Sequence, residues 1–317
     1  MVCCVIGGSG FIGRHVVQRL LADGREVRVI GRHDRLPIGL DARVSYLSGD
    51  YGDRAFLERA ISDVEEIIDL AYSTVPKSSF DNPIHDITTN LPQAVNLFQV
   101  AAEGNRIRKL VVVSSGGTVY GPAQHVPIIE DHQTNPISPY GITKLAVEKY
   151  ALMYHRLFNV PVTIVRPGNA YGEGQLPYRG QGFIATAIAS ILNGKSVTVF
   201  GGDQIIRDYI HVSDVASGII SAMESGHIGR CYNLGSGTGL TTNEVLHYIS
   251  ALSEQSGMVV VAEQMPLRTF DVPINVLDCC RLQSDTGWRA KIDFCEGLER
   301  VWRWFLDGRA ELHGHQK

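Results

Sequence analysis

The sequence is poor in the residues that build a disulfide frame or a metal cage. Its six cysteines stand at 3, 4, 231, 279, 280 and 295, and none is spaced C-x-x-C. The adjacent pairs Cys3-Cys4 and Cys279-Cys280 suit buried strands better than disulfides. Eleven histidines are scattered, and the close pair His313 and His315 sits in a polar terminal tail. No metal site is expected. Basic residues are not in excess: the net charge is −4, with no basic stripe, which argues against a nucleic-acid partner. No apolar run approaches the length of a membrane span, so no membrane partner is expected either. The opening MVCCVIGGSGFIG lacks the basic start of a secretion signal and reaches glycine after six residues. A reducing cytoplasm is the expected location.

What is present is a regular alternation. VCCVIG, EVRVIG, VSYLSGD, VEEIIDLA, KLVVVSS and VTIVRP read as six strands. Between them lie helical patterns: one with Ile12, Val16 and Leu20 on a face, one through Phe56, Leu57, Ala60 and Ile61, and stretches near 90–104 and 140–158. Strand and helix in alternation predict an α/β fold, a Rossmann-type doubly wound parallel sheet covered on both faces. After residue 168 the pattern changes. NAYGEGQLPYRGQG reads as a long loop, followed by a helix over 183–193, the strands SVTVFG and RDYIHV, and a helix after Ser213 that returns to the sheet. The end reads as a smaller C-terminal α/β lobe, closed by a helix with Leu298, Val301, Trp302 and Phe305 at packing positions. The expected division is therefore residues 1–168, with a returning segment at about 203–226, against 169–202 and 227–317 as the substrate lobe.

VIGGSGFIG carries Gly7, Gly10 and Gly13 between a strand and a helix, the context of a dinucleotide-binding loop. Glycine admits a pyrophosphate close to the backbone, and the helix N-terminus offers amides and partial positive charge. At the end of the second strand stand Gly31, Arg32, His33 and Asp34. Arg32 would meet a 2′-phosphate and favour NADP, whereas Asp34 reaching back to the ribose would favour NAD. Both cofactors stay open. Asp50 is placed to contact the adenine edge, or to cap the following helix.

SPYGITKLAVEKY places Tyr140 four residues before Lys144, one turn apart on one helix face. Apolar residues at Ala146, Tyr150, Met153 and Leu157 continue the helical spacing. The plain alternative is an exposed polar pair. The chemical one is a proton-transfer pair, in which a cation lowers the pKa of a phenol, ordinarily about 10, toward neutrality.

These pieces, with SSGGTVYG (114–121), RPGNAYG (166–172), RDYIHVSDVA (207–216), YNLGSG (232–237) and RTFDVP (268–273), run nearly end to end. The sequence resembles the extended short-chain dehydrogenase/reductase family, in particular its nucleotide-sugar epimerases of the UDP-galactose (UDP-glucose) 4-epimerase type. The resemblance implies that Tyr140 takes a proton from a sugar hydroxyl as hydride leaves the same carbon. Lys144 then binds the nicotinamide ribose and keeps the phenol acidic. It implies cofactor contacts at Gly7, Gly10, Phe11, Ile12, Gly13, Arg32, Asp50, Tyr51, Leu70, Ala71, Asn90, Ser114 and Pro167. Asn169, Arg207, Arg268 and Asp271 match positions that hold the nucleotide diphosphate and ribose, and Phe200 would lie against the base. Guanidinium forks suit a pyrophosphate, although a salt bridge to Asp208 or Asp271 is the alternative for each arginine. The resemblance also implies a homodimer built from two helices per subunit.

Three positions qualify the resemblance. The family carries Ser or Thr four residues before the tyrosine of VYG, and here that position is Gly116. Thr118, on the same strand face, is the first substitute, Ser115 the second and a water the third. Local turn bonding is the alternative for both hydroxyls. Arg32 raises a second reading, an NADPH-dependent reductase of a nucleotide-linked 4-keto-6-deoxy sugar. Asn275 matches the residue beside the sugar's C2 substituent, and its modest size implies tolerance of an N-acetylhexosamine. The expected function is a nucleotide-sugar 4-epimerase for a UDP-hexose in polysaccharide or sugar metabolism, with NAD if the cofactor recycles on the enzyme. A non-catalytic nucleotide-binding module is the third reading, encouraged by Gly116.

Overall fold

A computed structural model describes residues 2–104, 106–269 and 271–308; His313 and His315 lie outside the described residues. The six expected strands form as β1 (Val2–Ile6), β2 (Glu26–Gly31), β3 (Ser45–Ser48), β4 (Glu66–Asp69), β5 (Lys109–Val113) and β6 (Val162–Pro167). Helices α1 (Phe11–Ala22), α2 (Arg54–Ala60), α3 (Pro76–Asp81), α4 (Pro83–Gly104) and α5 (Pro139–Phe158) connect them. Beyond lie β7 (Asn169–Tyr171), α6 (Phe183–Leu192), β8 (Val197–Phe200), β9 (Ile206–His211), α7 (Val212–Glu224) and β10 (Cys231–Leu234). The chain continues through β11 (Gly239–Thr241), α8 (Thr242–Gln255), β12 (Ala262–Met265), β13 (Ile274–Asn275), α9 (Cys280–Thr286) and α10 (Phe294–Leu306).

The large sheet has seven parallel strands in the order β10-β6-β5-β4-β1-β2-β3. Its central strands read as apolar runs because both faces are covered, and every residue of β5 is buried, whereas the edge strand β3 has no buried residue. On one face Val16, Val17 and Leu20 of α1 pack with Ile219, Ile220 and Met223 of α7. On the other, Leu97 and Phe98 of α4 pack with Val147, Ala151 and Tyr154 of α5. The chain turns one way after β1 and the other way after β4, so a crevice opens beyond the C-terminal ends of these two strands.

β10 falls in the segment that the sequence reading gives to the smaller lobe, yet it pairs with β6, Cys231 opposite Ile164 through Leu234 opposite Pro167. Four residues at a sheet edge, with a buried asparagine among them, carry too little pattern to be told from lobe structure. The expected loop at 169–182 likewise begins with β7, which pairs with β9. Residues 203–226 are expected to return to the large sheet, yet β9 within them lies in a separate sheet between β11 and β13 and also pairs with β7, while β8 pairs with β12. Ile188, Val245, Ile249 and Leu298, Val301, Trp302 and Phe305 of α10 form the core of the smaller lobe.

The apolar face of α5 is not the one read from the sequence. Tyr150 and Leu157 are 40% and 63% exposed. The helix turns Tyr154, Ala151 and Val147 inward, together with the charged Lys144 and Glu148. Glu148 is held by Arg166 of β6 in a two-pronged pair, Nε to Oε1 at 3.0 Å and Nη2 to Oε2 at 2.6 Å. Arg166 Nη1 also donates to the Tyr120 hydroxyl at 2.9 Å, and that hydroxyl donates to Asn233 Oδ1 on β10 at 2.6 Å. One buried network therefore joins α5, β6, the loop after β5 and β10. Removing one member leaves an uncompensated buried charge. Glu148→Ala is expected to lower stability by about 3–5 kcal/mol in equilibrium urea unfolding. A loss below about 1 kcal/mol would show that the pair is not a structural anchor.

Candidate active site

The glycine loop sits at the crevice. Gly7 has φ +77°, and a side chain there would come within 2.9 Å of the Ala71 amide nitrogen, where the loop meets the backbone after β4. A methyl on Gly13 would stand 2.3 Å from the Gly7 carbonyl oxygen. Gly10 is the N-cap of α1 without a side-chain cap, and no acid lies in the first turn. The first amides of α1, leading into the partly buried Phe11 and Ile12, are thus left to an external anion. This cradle fits a dinucleotide pyrophosphate.

Around it, Arg32 and Asp34 are exposed at the end of β2. Burial raises the Tyr51 phenol, and the charge of Arg32 partly offsets this. Asp50 accepts from the Gly52 amide at 2.8 Å, while Asp53 caps α2 by accepting from Phe56 at 3.1 Å. Capping α2 therefore falls to Asp53. Leu70 continues β4, its amide bonded to Ile6 O at 3.0 Å. Asn90 is consumed locally, accepting from the Ser73 amide and donating to the Asp86 carbonyl, each at 2.7 Å. The Ser114 hydroxyl is buried without a hydrogen-bond partner among the described residues. Pro167, at the end of β6, accepts from the Gly116 amide at 2.8 Å.

Ser138 caps α5, accepting from Gly141 at 3.2 Å, and Pro139 opens the helix. This fixes Tyr140 in the first turn, its amide donating to Ser79 Oγ at 3.1 Å. One turn on, Lys144 Nζ donates to the Val113 carbonyl at 2.9 Å and stands 4.0 Å from the centre of the Tyr72 ring. It is 5.9 Å from the centre of the Tyr140 ring. Burial pushes Lys144 down to about 8, opposed by the charges of Asp69, Glu148 and Asp86. Burial, and then Asp86, push the Tyr140 phenol up, opposed by a hydrogen bond with the Ser115 hydroxyl. The expectation of a cation-lowered phenol is not met: burial of Tyr140 is the largest cause and raises it.

A side chain on Gly116 would meet Leu277 Cδ1 at 2.6 Å and the Arg166 carbonyl oxygen at 2.8 Å. Ser115, ranked second from the sequence, is the hydroxyl brought to Tyr140. Thr118 Oγ1 is buried without a partner among the described residues. Asn275 Nδ2 donates to the Gly116 carbonyl at 2.9 Å, and its Oδ1 is buried without such a partner. A Gly117 side chain would stand 3.3 Å from Asn169 Oδ1, which places Asn169 beside the same loop. Four predicted residues meet in the smaller lobe. Arg268 bonds both oxygens of Asp271, at 2.7 and 3.0 Å, and lies 4.9 Å from the centre of the Phe200 ring. Arg207 approaches Asp271 to 3.9 Å and donates to the Ile206 and Pro273 carbonyls at 3.0 and 3.2 Å. Asp208 serves neither arginine; it accepts from Ser236, Gly237 and Leu277.

Residues 3–235 match the family model of the NAD dependent epimerase/dehydratase family. The chain belongs to that family. The UDP-glucose 4-epimerase of Mycolicibacterium smegmatis is 33% identical over 309 residues, covering 95% of this chain and 97% of that protein. The structure of UDP-glucose 4-epimerase from Thermotoga maritima with UDP-glucose superposes with a TM-score of 0.91 at 31% identity, covering 98% and 100% of the two chains. That of Thermus thermophilus UDP-glucose 4-epimerase with NAD gives 0.89 at 31% identity, covering 96% and 99%. The resemblance to extended short-chain dehydrogenase/reductases and the expected α/β fold are borne out, and the chain is an enzyme of that epimerase type.

Members of this family are read from their motifs, and motif reading missed three groups here. Asp69 ends β4 and is pushed up to about 6 by burial, opposed by the Ala71 amide bonded at 3.1 Å and by Lys144. Tyr72 lies against the Tyr140–Lys144 pair, and Asp86 lies behind Tyr72. The available signal was position: a tyrosine just past the strand that flanks the crevice. One prediction concerns Gly116. Gly116→Ser forces Leu277 and the β6 backbone apart, and thermal unfolding should show a loss of about 1–3 kcal/mol. Unchanged stability would show that Leu277 yields freely and that glycine is not required.

Proposed function

We propose that the protein interconverts the C4 epimers of a UDP-hexose by transient oxidation at C4, with NAD as cofactor. The observation that supports this reading is the Tyr140 phenol, hydrogen-bonded to Ser115 and one turn from a buried ammonium, beside a glycine cradle shaped for a dinucleotide. NAD, when bound, supplies a two-electron acceptor that gives the electrons back, so nothing is consumed overall. Tyr140 accepts the proton of the 4-hydroxyl as the C4–H bond breaks, and returns it to the oxygen when the ketone is reduced on its other face. Ser115 orients the phenol oxygen and steadies its negative charge. Lys144 holds a positive charge one turn away. Arg207 and Arg268 hold the diphosphate, Asp271 the ribose, Phe200 the base and Asn169 the diphosphate edge. Among the relatives, the Thermus thermophilus structure is described with NAD and the Thermotoga maritima structure with UDP-glucose, which supports both assignments. Arg32 would meet a 2′-phosphate, so mass identification of the dinucleotide retained on purification decides between NAD and NADP.

The unpartnered oxygen of Asn275 supports acceptance of an N-acetyl group, whose amide N–H would donate to it. Exposed apolar residues on α4, Ile84 and Ile87, and on α5, Ile142 and Leu157, support a homodimer through these two helices. Sedimentation equilibrium should find a dimer, and a monomer at micromolar concentration would remove this part of the reading.

Tyr140→Phe should lower kcat for UDP-glucose by at least a thousandfold while leaving bound NAD unchanged, with no net NADH formed by the parent over many turnovers; the expected size is on the order of a lost proton-transfer group. Activity within tenfold of the parent would overturn the assignment. In the same assay, turnover of UDP-glucose with none of UDP-N-acetylglucosamine would reject the role of Asn275.

A further inference from the structure

The loop after β4 and the start of α4 bring two more ionisable side chains against the Tyr140–Lys144 pair. The Tyr72 ring packs edge-on against Tyr140, with centroids 4.9 Å apart at 70°, and its face covers the Lys144 ammonium. Its hydroxyl stands 3.4 Å from Oδ1 of Asp86 and also hydrogen-bonds Thr143 of α5. Asp86 is fully buried. Its Oδ1 also accepts from the Thr74 hydroxyl, while its Oδ2 has no hydrogen-bond partner among the described residues.

The plain account makes Asp86 a structural acid in the first turn of α4, favoured there by the helix dipole. That account does not explain the charge. Asn90 already ties the loop to α4 through Ser73, Thr74 and the Asp86 carbonyl. A carboxylate oxygen buried without a donor is costly, and a fold that needed only a tether has a neutral amide available. We propose that Asp86, acting through Tyr72, is a positioning residue for Tyr140 and Lys144: it fixes the ring that covers the ammonium and abuts the proton-accepting phenol. The inference rests on the proposed function.

A consequence follows for pH. The groups facing the pair are Asp69 from β4, Tyr72 from the loop, Asp86 from α4 and Glu148 from α5. The charge of Asp86 raises both Tyr140 and Lys144. Neutralising it lowers both, so the ionisations of Tyr140 and Lys144 move to lower pH together.

The test uses the full-length enzyme with its retained cofactor. Asp86→Asn should shift the kcat profile down by about one pH unit. Tyr72→Phe keeps the ring and loses the link; it should lower kcat about tenfold with KM for the nucleotide sugar unchanged, and the double variant should be no worse than the poorer single one. Ultraviolet difference titration, with Tyr140→Phe as the blank, should find the Tyr140 phenol ionising at lower pH in Asp86→Asn. A reduced melting temperature with an unmoved profile and unmoved phenol titration, or additive losses in the double variant, would overturn the proposal. If the parent turned over no UDP-hexose, the functional reading would fail, and the phenol titration would still decide this one.

Discussion

A buried ammonium is the constraint on which the site depends. An isolated charge of this kind is expensive to desolvate, and it persists only where donors and acceptors are matched to it. Lys144 is matched by the Val113 carbonyl and the face of Tyr72. Its neighbours on the inner face of α5 follow the same rule. Tyr140 meets Ser115 beyond the end of β5, and Glu148 meets Arg166 on β6. Three polar groups, each one turn from the next, thus lock the helix to the strand ends that shape the crevice. The register of α5 is set by polar pairing as much as by Val147 and Ala151. The Glu148 branch reaches further, through Arg166 and Tyr120 to Asn233, and so draws β10 onto the sheet.

This arrangement explains which features were legible in the sequence. The other six strands of the large sheet were, and in its centre burial on both faces leaves apolar runs such as LVVV in β5. β10 was not, because its Asn233 is buried for a hydrogen-bond network that no local pattern announces. The face of α5 was misread for a related reason: apolar spacing marked Tyr150 and Leu157, which point outward, while the inward residues include a lysine and a glutamate. Gly7, Gly10 and Gly13, and Tyr140 with Lys144, were legible because each chemistry is local and its spacing is fixed by one turn or one helix start. Phe200, Arg207, Arg268 and Asp271 were legible only through the family resemblance, since the fold gathers them from three separated segments. Tyr72 and Asp86 matter only after the β4 crossover sets them against α5.

Gly116 shows how a departure from the family pattern can be absorbed. The space beside it is taken by Leu277, which is fully buried, and its carbonyl receives Asn275. A side chain at this position has no room, so the hydroxyl that meets the phenol comes from the preceding residue, Ser115. On the proposed function, the departure would relocate a hydrogen bond to Ser115, which lowers the Tyr140 phenol.

The smaller lobe shows the complementary logic of cations gathered around an acid. Two guanidinium groups, Arg207 and Arg268, converge on the single carboxylate of Asp271. Burial pulls Arg207 down, and the neighbouring Arg268 charge adds to that pull, whereas Asp271 only partly offsets it. In a partly desolvated cleft, two guanidinium groups suit a doubly charged ligand with oxygens spaced for two forks. A nucleoside diphosphate answers that description. On the proposed function, such a ligand would compete with Asp271 for Arg268 and release the carboxylate to a ribose hydroxyl, so that the plain salt bridge and the binding role would be two states of one cluster.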